Sequence, residues 1–234
     1  MKKIAFVTLV YARTKKEKND IVKTLRYLNT YGLPIFAANE KNAKYPLAQE
    51  TKNLSNVKLL RASGISQRVK LAGKEAAKVA DYIFYLEGDK YQFSRQAVAI
   101  ILKKIGSNAK GIWLPGRTAK SFERYPKYQK IIERGINNVM SATVGINGDY
   151  CYGPRIFPAK LIKYFDKPKI NIDWGWQSFV IVLGRRLKMP VKFIYSDLTC
   201  PPDFNNDSEV IKLFRLEGFC QYLIGIEEAL KIKL

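Results

Sequence analysis

Asp81-Tyr82-Ile83-Phe84-Tyr85-Leu86-Glu87-Gly88-Asp89 is the stretch on which the reading of this chain turns. Its first part is an unbroken apolar run rich in β-forming residues, the mark of a strand covered on both faces. Its end is a pair of carboxylates at i and i+2 around a glycine that lets the backbone turn. A strand that stops in two carboxylates and passes into a helix sets both at the carboxyl edge of a sheet, where α/β folds bind their ligands. Carboxylate oxygens so placed suit Mg²⁺ or Mn²⁺ bridging two phosphates. An isolated Glu-Gly-Asp is more often a solvated acidic turn, so the neighbouring elements must decide.

Residues 4–10 form the same kind of buried run, and Ile21, Leu25 and Leu28 then recur at helical spacing until Tyr31-Gly32 ends the helix. A second strand is expected over 33–38 and a third over 57–61. Ala62-Ser63-Gly64 turns the chain into a helix from Ser66, whose Val69, Ala72, Ala76 and Val79 share one face. After the acidic pair, Ser94 reads as the cap of a helix holding Ala97, Ile101 and Leu102, and residues 112–114 as a further strand. Strands alternating with helices at this rhythm imply a mostly parallel sheet flanked by helices. Beyond about 115 the rhythm changes to a helix-like segment over 122–140, a turn-rich stretch over 145–153, a helix through Phe179, Leu183 and Leu187, a late strand over 191–195, and an amphipathic tail over 210–230 that Gly218 and Gly225 weaken.

The chain has 234 residues, 47% of them hydrophobic, with 41 Lys and Arg against 20 Asp and Glu and a net charge of +21. That fits one folded domain, with a first half over 1–115 of alternating strands and helices and a second half over 116–234 that ends in a C-terminal helix. There is no histidine. Ser-His and Cys-His nucleophile pairs and histidine-bound zinc are thereby excluded. Cys151, Cys200 and Cys220 are odd in number and widely spaced, which points to a reducing, cytoplasmic compartment. No run approaches the roughly 20 apolar residues of a membrane span, so peripheral contact with the inner face of a membrane is the most the charge supports.

Three further segments carry candidate chemistry. Asp173, in Asn171-Ile172-Asp173-Trp174-Gly175-Trp176-Gln177, is open to two readings: a helix cap, or a reactive carboxylate beside an aromatic platform for a sugar ring. Gly64 and Arg68 put a turn and a cation at a helix start, which favours phosphate. Tyr152 and Gly153 lie in a tight turn that could line an acceptor pocket, and Arg117 follows the fifth strand.

With these elements in order, residues 4–195 resemble nucleotide-sugar glycosyltransferases of the GT-A fold, in particular the family-2-like group. The resemblance implies a GT-A, Rossmann-like, mostly parallel α/β sheet with a C-terminal acceptor-side helical extension. It implies transfer of a sugar from a nucleotide-diphosphate sugar to an acceptor hydroxyl with Mn²⁺ or Mg²⁺ as cofactor. Thr8, Val10, Tyr11 and Arg13 match the family's first nucleotide loop, Asn39 and Glu40 the end of the second strand, and Gly64, Arg68 and Gly88 complete the donor side. Glu87 and Asp89 correspond to the metal-binding pair. Asp173 corresponds to the catalytic base, with Arg117, Tyr152, Gly153, Trp174, Trp176 and Gln177 on the acceptor side. The sequence departs from the family in carrying Glu at the first metal position and Ile172 beside the base. The late histidine that some members use as a metal ligand is missing, leaving Asp203 as its substitute.

Two other readings compete. A nucleotidyltransferase shares the topology and the metal carboxylates, but its glycine-rich loop is absent from Val10-Tyr11-Ala12-Arg13-Thr14. A nucleic-acid-binding protein would account for the charge, yet Lys and Arg are spread along the whole chain rather than gathered in one arm. The charge is better read as attraction for an anionic donor and an anionic or lipid-linked acceptor, with no specific nucleic acid partner.

Overall fold

The computed structural model describes residues 2–106, 109–198 and 206–234. In chain order its elements are β1 (Ile4–Val10), α1 (Lys15–Asn29), β2 (Ile35–Glu40), α2 (Ala48–Thr51), β3 (Val57–Ala62), α3 (Ile65–Ala77), β4 (Tyr82–Glu87), α4 (Tyr91–Ile105), β5 (Ile112–Arg117), α5 (Ala119–Phe122), α6 (Lys127–Val144), β6 (Arg155–Pro158), two 3-10 segments (Ala159–Asp166 and Asp173–Gly175), α7 (Trp176–Arg186), β7 (Val191–Ser196) and α8 (Glu209–Lys231). Two compact units emerge. Unit 1 comprises Met1–Ala109 and Pro154–Tyr164; unit 2 comprises Lys110–Gly153 and Phe165–Leu234.

Unit 1 holds five strands in the order β3-β2-β1-β4-β6. The first four are mutually parallel, and β6 is antiparallel to β4. β1, β2 and β4 are buried along nearly their whole lengths, as expected of parallel strands covered on both faces. β3 lies at the edge and carries exposed Lys58 and Arg61, charges that discourage pairing with another chain. α1 starts where Thr14 accepts the Glu17 N–H at 3.1 Å, while Glu17 accepts the Arg13 N–H at 2.7 Å, a variant of the capping box.

Unit 2 is built on β5 and β7, which pair in parallel, and on α6, α7 and α8. α7 is buried from Trp176 through Gly184. α8 presses Tyr222, Gly225, Ile226 and Ala229 inward. Gly225 is required there by space, since a Cβ would stand 1.9 Å from the Gly175 carbonyl oxygen. The expectation that Gly225 weakens the tail therefore gives way to a tight packing contact. Arg186 Nη1 donates to the carbonyls of Ala229 and Ile232 at 2.5 and 2.8 Å, satisfying groups that the end of a helix leaves open.

Several local expectations are corrected. α4 begins at Tyr91, and Ser94 is buried inside it rather than capping it. The helix-like segment over 122–140 is two helices, with Pro126 at the N-cap position of α6, because proline lacks the N–H a continuing helix needs. β6, which closes the unit 1 sheet against β4, was not expected at all.

Candidate active site

In unit 1 the acidic pair stands where β4 meets α4, beside the carboxyl end of β1. Glu87 is the last residue of β4, and its carboxylate contacts the Lys90 ammonium. Burial raises the Asp89 carboxyl above the ordinary carboxylate range; the Lys90 charge opposes that rise and Glu87 adds to it. Such a pair favours a cation, which would relieve both desolvation and mutual repulsion. Arg13 is also within electrostatic reach of Asp89, although its guanidinium is held by Glu17 at 2.6 Å.

Gly88 lies in the turn that follows β4, and space rather than a left-handed backbone requires the glycine there. A Cβ would lie 2.8 Å from Val10 Cγ1, 3.0 Å from the Leu9 carbonyl oxygen and 3.0 Å from Thr8 Oγ1. Thr8 and Val10 are fully buried, so these two expected donor ligands instead form the floor on which Glu87-Gly88-Asp89 rests. Tyr85, buried one turn of the pleat below, has its hydroxyl pushed well above its ordinary pKa by burial, with Glu87 and Asp89 adding and Arg155 and Arg68 opposing. Arg155 is fully buried on β6, opposite Tyr85. A lone arginine opening a four-residue strand gives no sequence signal of such a role.

The other corner of unit 1 joins β2 to α3. Gly64 takes a φ of +80°, a left-handed value that glycine adopts without cost, and its N–H donates to Glu40 Oε2 at 3.3 Å. Arg68 Nε lies 3.4 Å from the same carboxylate, and its guanidinium sits 5.9 Å from the Tyr11 ring centre. Asn39 and Arg68 are both 6% exposed. Asn39 Oδ1 and Arg68 Nη1 are buried with no hydrogen-bond partner, an acceptor and a donor left open at the ligand edge of the sheet, where natural proteins seldom leave buried polar atoms unmet. Of the residues expected on the donor side, Tyr11, Glu40, Gly64 and Arg68 come together at this corner, with Asn39 next to Glu40 in β2.

In unit 2, Arg117 ends β5 inside a cage. Its Nε and Nη2 donate to the two oxygens of Asp149 at 2.7 and 2.8 Å, its N–H donates to Asp149 Oδ2 at 3.0 Å, and Glu133 lies 2.6 Å from Nη2. The rings of Phe122, Tyr125 and Tyr152 stand 4.7, 4.6 and 5.4 Å from the guanidinium. Burial acts to raise the Asp149 pKa, but the hydrogen bonds and charge of Arg117 outweigh it and hold the carboxyl below its ordinary value. With its side chain 1% exposed, Arg117 is committed to holding the 149–152 segment and is not an exposed acceptor ligand. Asp149 and Glu133 come from distant segments, so nothing local in the sequence announces the cage.

Asp173 opens a 3-10 turn with a φ of +34°, and its N–H donates to Asn171 Oδ1 at 3.2 Å. Neither that turn nor α7 has a side-chain cap, so the cap reading of Asp173 falls away. A non-glycine residue at positive φ is uncommon and marks strain that a site can use. Trp174 and Gly153 are partly exposed. Trp176 is fully buried against Phe165, ring centres 6.3 Å apart, and Gln177 is buried with Oε1 accepting from the Tyr222 hydroxyl at 2.6 Å. These two belong to the core of unit 2, because α7 turns them inward, and cannot act as a platform. Asp203 lies outside the described residues.

No protein-family model matches the sequence, and no curated protein matches it by sequence. Solved structures do match. Glucosyl-3-phosphoglycerate synthase of M. tuberculosis aligns over 97% of this chain and 81% of its own, with a TM-score of 0.65 and 6% identity. Mannosyl-3-phosphoglycerate synthase from Rubrobacter xylanophilus aligns over 98% and 74%, with a TM-score of 0.65 and 11% identity. The chain has the GT-A fold. A nucleotidyltransferase, CMP:2-keto-3-deoxy-manno-octonic acid synthetase complexed with CTP, aligns over 92% and 99%, with a TM-score of 0.53 and 12% identity. The mycobacterial synthase has also been solved with Mn²⁺, UDP and glucosyl-3-phosphoglycerate.

Proposed function

We propose that this protein is a metal-dependent glycosyltransferase that moves a sugar from a nucleotide-diphosphate sugar to an acceptor hydroxyl. The observation that carries the reading is the ligand edge of unit 1, where an open buried acceptor (Asn39 Oδ1) and donor (Arg68 Nη1) accompany a carboxylate pair in a GT-A fold. In this reading Asn39, Arg68 and the half-exposed Tyr11 ring hold the nucleoside, the ring by its face and the polar atoms by the base edge or ribose. Among the described residues no group of three or more Asp, Glu, Cys or His side chains gathers. A pair fits Mn²⁺ or Mg²⁺ nonetheless, because these ions accept one or two carboxylates and take their remaining ligands from water and phosphate.

Glu87 and Asp89 would hold the ion, and bound there it would neutralise the charge that develops on the departing diphosphate. Lys90 and Arg13 add positive charge on the same side, and Gly88 keeps the pair at its position against β1. Asp173 takes the proton of the acceptor hydroxyl as the new glycosidic bond forms and the bond to the diphosphate breaks. Its strained backbone fixes the carboxylate's direction in advance, and Trp174 offers an apolar face beside it. The net charge of +21 favours an anionic donor and suits an anionic or lipid-linked acceptor. Among the described residues no helix is long and apolar enough to cross a membrane. Among the described residues Cys151 and Cys220 form no disulfide; a reducing, cytoplasmic setting is part of this reading.

The test is calorimetric titration of UDP and other nucleoside diphosphates with and without Mn²⁺, for wild type and Asp89→Ala. Binding that strengthens with Mn²⁺ in the wild type and loses that dependence in a folded Asp89→Ala is expected. The likeness to a nucleotidyltransferase is addressed by offering nucleoside triphosphates: pyrophosphate release in place of diphosphate release from a nucleotide sugar would overturn the transferase reading.

A further inference from the structure

α8 contains a second pattern that the reaction does not use. Leu213, Leu216, Cys220, Leu223, Glu227 and Leu230 follow one another at intervals of three, four, three, four and three residues along this 23-residue helix. That alternation is the a/d repeat of a coiled-coil seam. The helix turns the opposite face inward, where Tyr222, Gly225 and Ala229 are buried. The seam consequently faces outward, with its leucines between 39% and 58% exposed and Cys220 exposed as well. At the N-terminal end Val210 and Phe214 widen the stripe, 78% and 50% exposed. An outward a/d stripe running the length of a helix is unlike scattered surface leucines, because its spacing specifies the shape of a partner: another helix with the same repeat.

We infer that this face is where a second copy of the chain docks, α8 against α8 in parallel across a two-fold axis. Charge selects the occupant. α8 carries Glu209, Glu217, Glu227 and Glu228 against Lys212, Arg215 and Lys231, so it is close to neutral on a chain of net +21. Two strongly basic molecules repel least where the approaching surface is neutral, whereas an anionic lipid surface would select a helix lined with lysine. In the parallel register Lys212 occupies a g position and Glu217 the e position five residues on, so each copy offers Lys212 to Glu217 of the other, the flanking pairing that orients coiled coils. Glu227 is the one acidic seam position, and Lys231 of its own helix holds it at 2.7 Å. The interface is self-complementary, as a two-fold dimer requires. This assembly is independent of the reaction proposed above.

The full chain at micromolar concentration should sediment at twice the chain mass. Leu216→Glu with Leu223→Glu should halve that mass while circular dichroism and UDP binding stay unchanged, which separates loss of pairing from loss of folding. In wild type, copper(II)-phenanthroline should take two electrons from paired Cys220 thiols, their two protons passing to solvent, and give a disulfide-linked dimer, absent in Cys220→Ser. Lys212→Glu should loosen the dimer at least tenfold, and adding Glu217→Lys should restore it. A wild type that sediments at the chain mass, a dimer indifferent to the leucine pair, or monomers that bind anionic vesicles through those leucines at physiological salt would each overturn the assignment.

Discussion

Replacing Arg117 by methionine leaves Asp149 and Glu133 without the cation that both of them address at 2.6 to 2.7 Å. Methionine fills much of the arginine's volume and can pack on Phe122, Tyr125 and Tyr152, so the loss is chiefly electrostatic. Removing one partner of a buried ion pair costs about 3–5 kcal/mol, because the charge left behind is neither hydrated nor paired. Lost cation–π attraction adds roughly 0.5–1 kcal/mol. Against a total stability on the order of 5–15 kcal/mol, such a deficit lowers the melting temperature by roughly 10 °C. Urea unfolding at several pH values is the assay. In wild type the Asp149 pKa is depressed, so its contribution is complete above the ordinary carboxylate value of about 3.9 and is lost as the pH falls through the folded value. In the variant, burial without Arg117 raises that pKa, so protonation relieves the folded state as the pH drops. The difference between the two proteins should be greatest near pH 7 and shrink on acidification. Adding Asp149→Asn and Glu133→Gln to the variant removes the orphaned charges and should recover at least half of the loss. A deficit under about 1 kcal/mol at neutral pH, well short of what breaking a buried pair costs, or a triple variant no more stable than Arg117→Met, would refute the reasoning.

Asp173→Asn preserves the side chain's shape, and asparagine tolerates a φ of +34° as well as aspartate does. Turnover should fall by about two orders of magnitude with UDP affinity unchanged, and near-normal turnover would remove Asp173 from the chemistry. Gly88→Ala places a methyl group against the Leu9 carbonyl oxygen, which cannot yield as a side chain can. We expect a destabilisation of about 1–3 kcal/mol from overpacking together with weaker Mn²⁺-dependent UDP binding; a variant with wild-type binding would show that the position of the acidic pair does not depend on this contact. Asp89→Ala and the α8 variants complete the set.

The alternation of β1 through β4 with their helices was legible because parallel strands covered on both faces are written as continuous apolar runs, and each run ended within a few residues of its expected boundary. Glu87, Asp89, Asn39, Glu40, Gly64 and Arg68 were legible because their place at strand ends and a helix start follows from that alternation alone. β6 was not, since it is four residues long, opens with a charge, follows Pro154 and ends in Pro158. Trp176 was misread because an aromatic residue at the start of a helix does not declare which way it points; α7 is surrounded, so it points inward. Arg117 was misread because its partners are 16 and 32 residues away in the chain, a separation that only tertiary structure closes. The repeat of α8 could be counted in the sequence, but whether it faced the core or the solvent could not.

The return of Pro154–Tyr164 to unit 1 bears on how the polypeptide is made. Until this segment leaves the ribosome, β4 has β1 on one flank and an unpaired hydrogen-bonding edge on the other, and that edge is one of the most apolar strands in the chain. The helix face that packs on Ile162 is uncovered over the same interval, since Gly73 sits directly against that side chain. The unit that begins at the N-terminus therefore cannot complete itself in the order in which it is synthesised, and it must wait for more than forty residues of the other unit to pass. A nascent chain halted near residue 109 presents the kind of exposed strand edge that aggregates or recruits chaperones. Any shortened version meant to isolate unit 1 needs residues 154–164 grafted back after Ala109, rather than a cut made there.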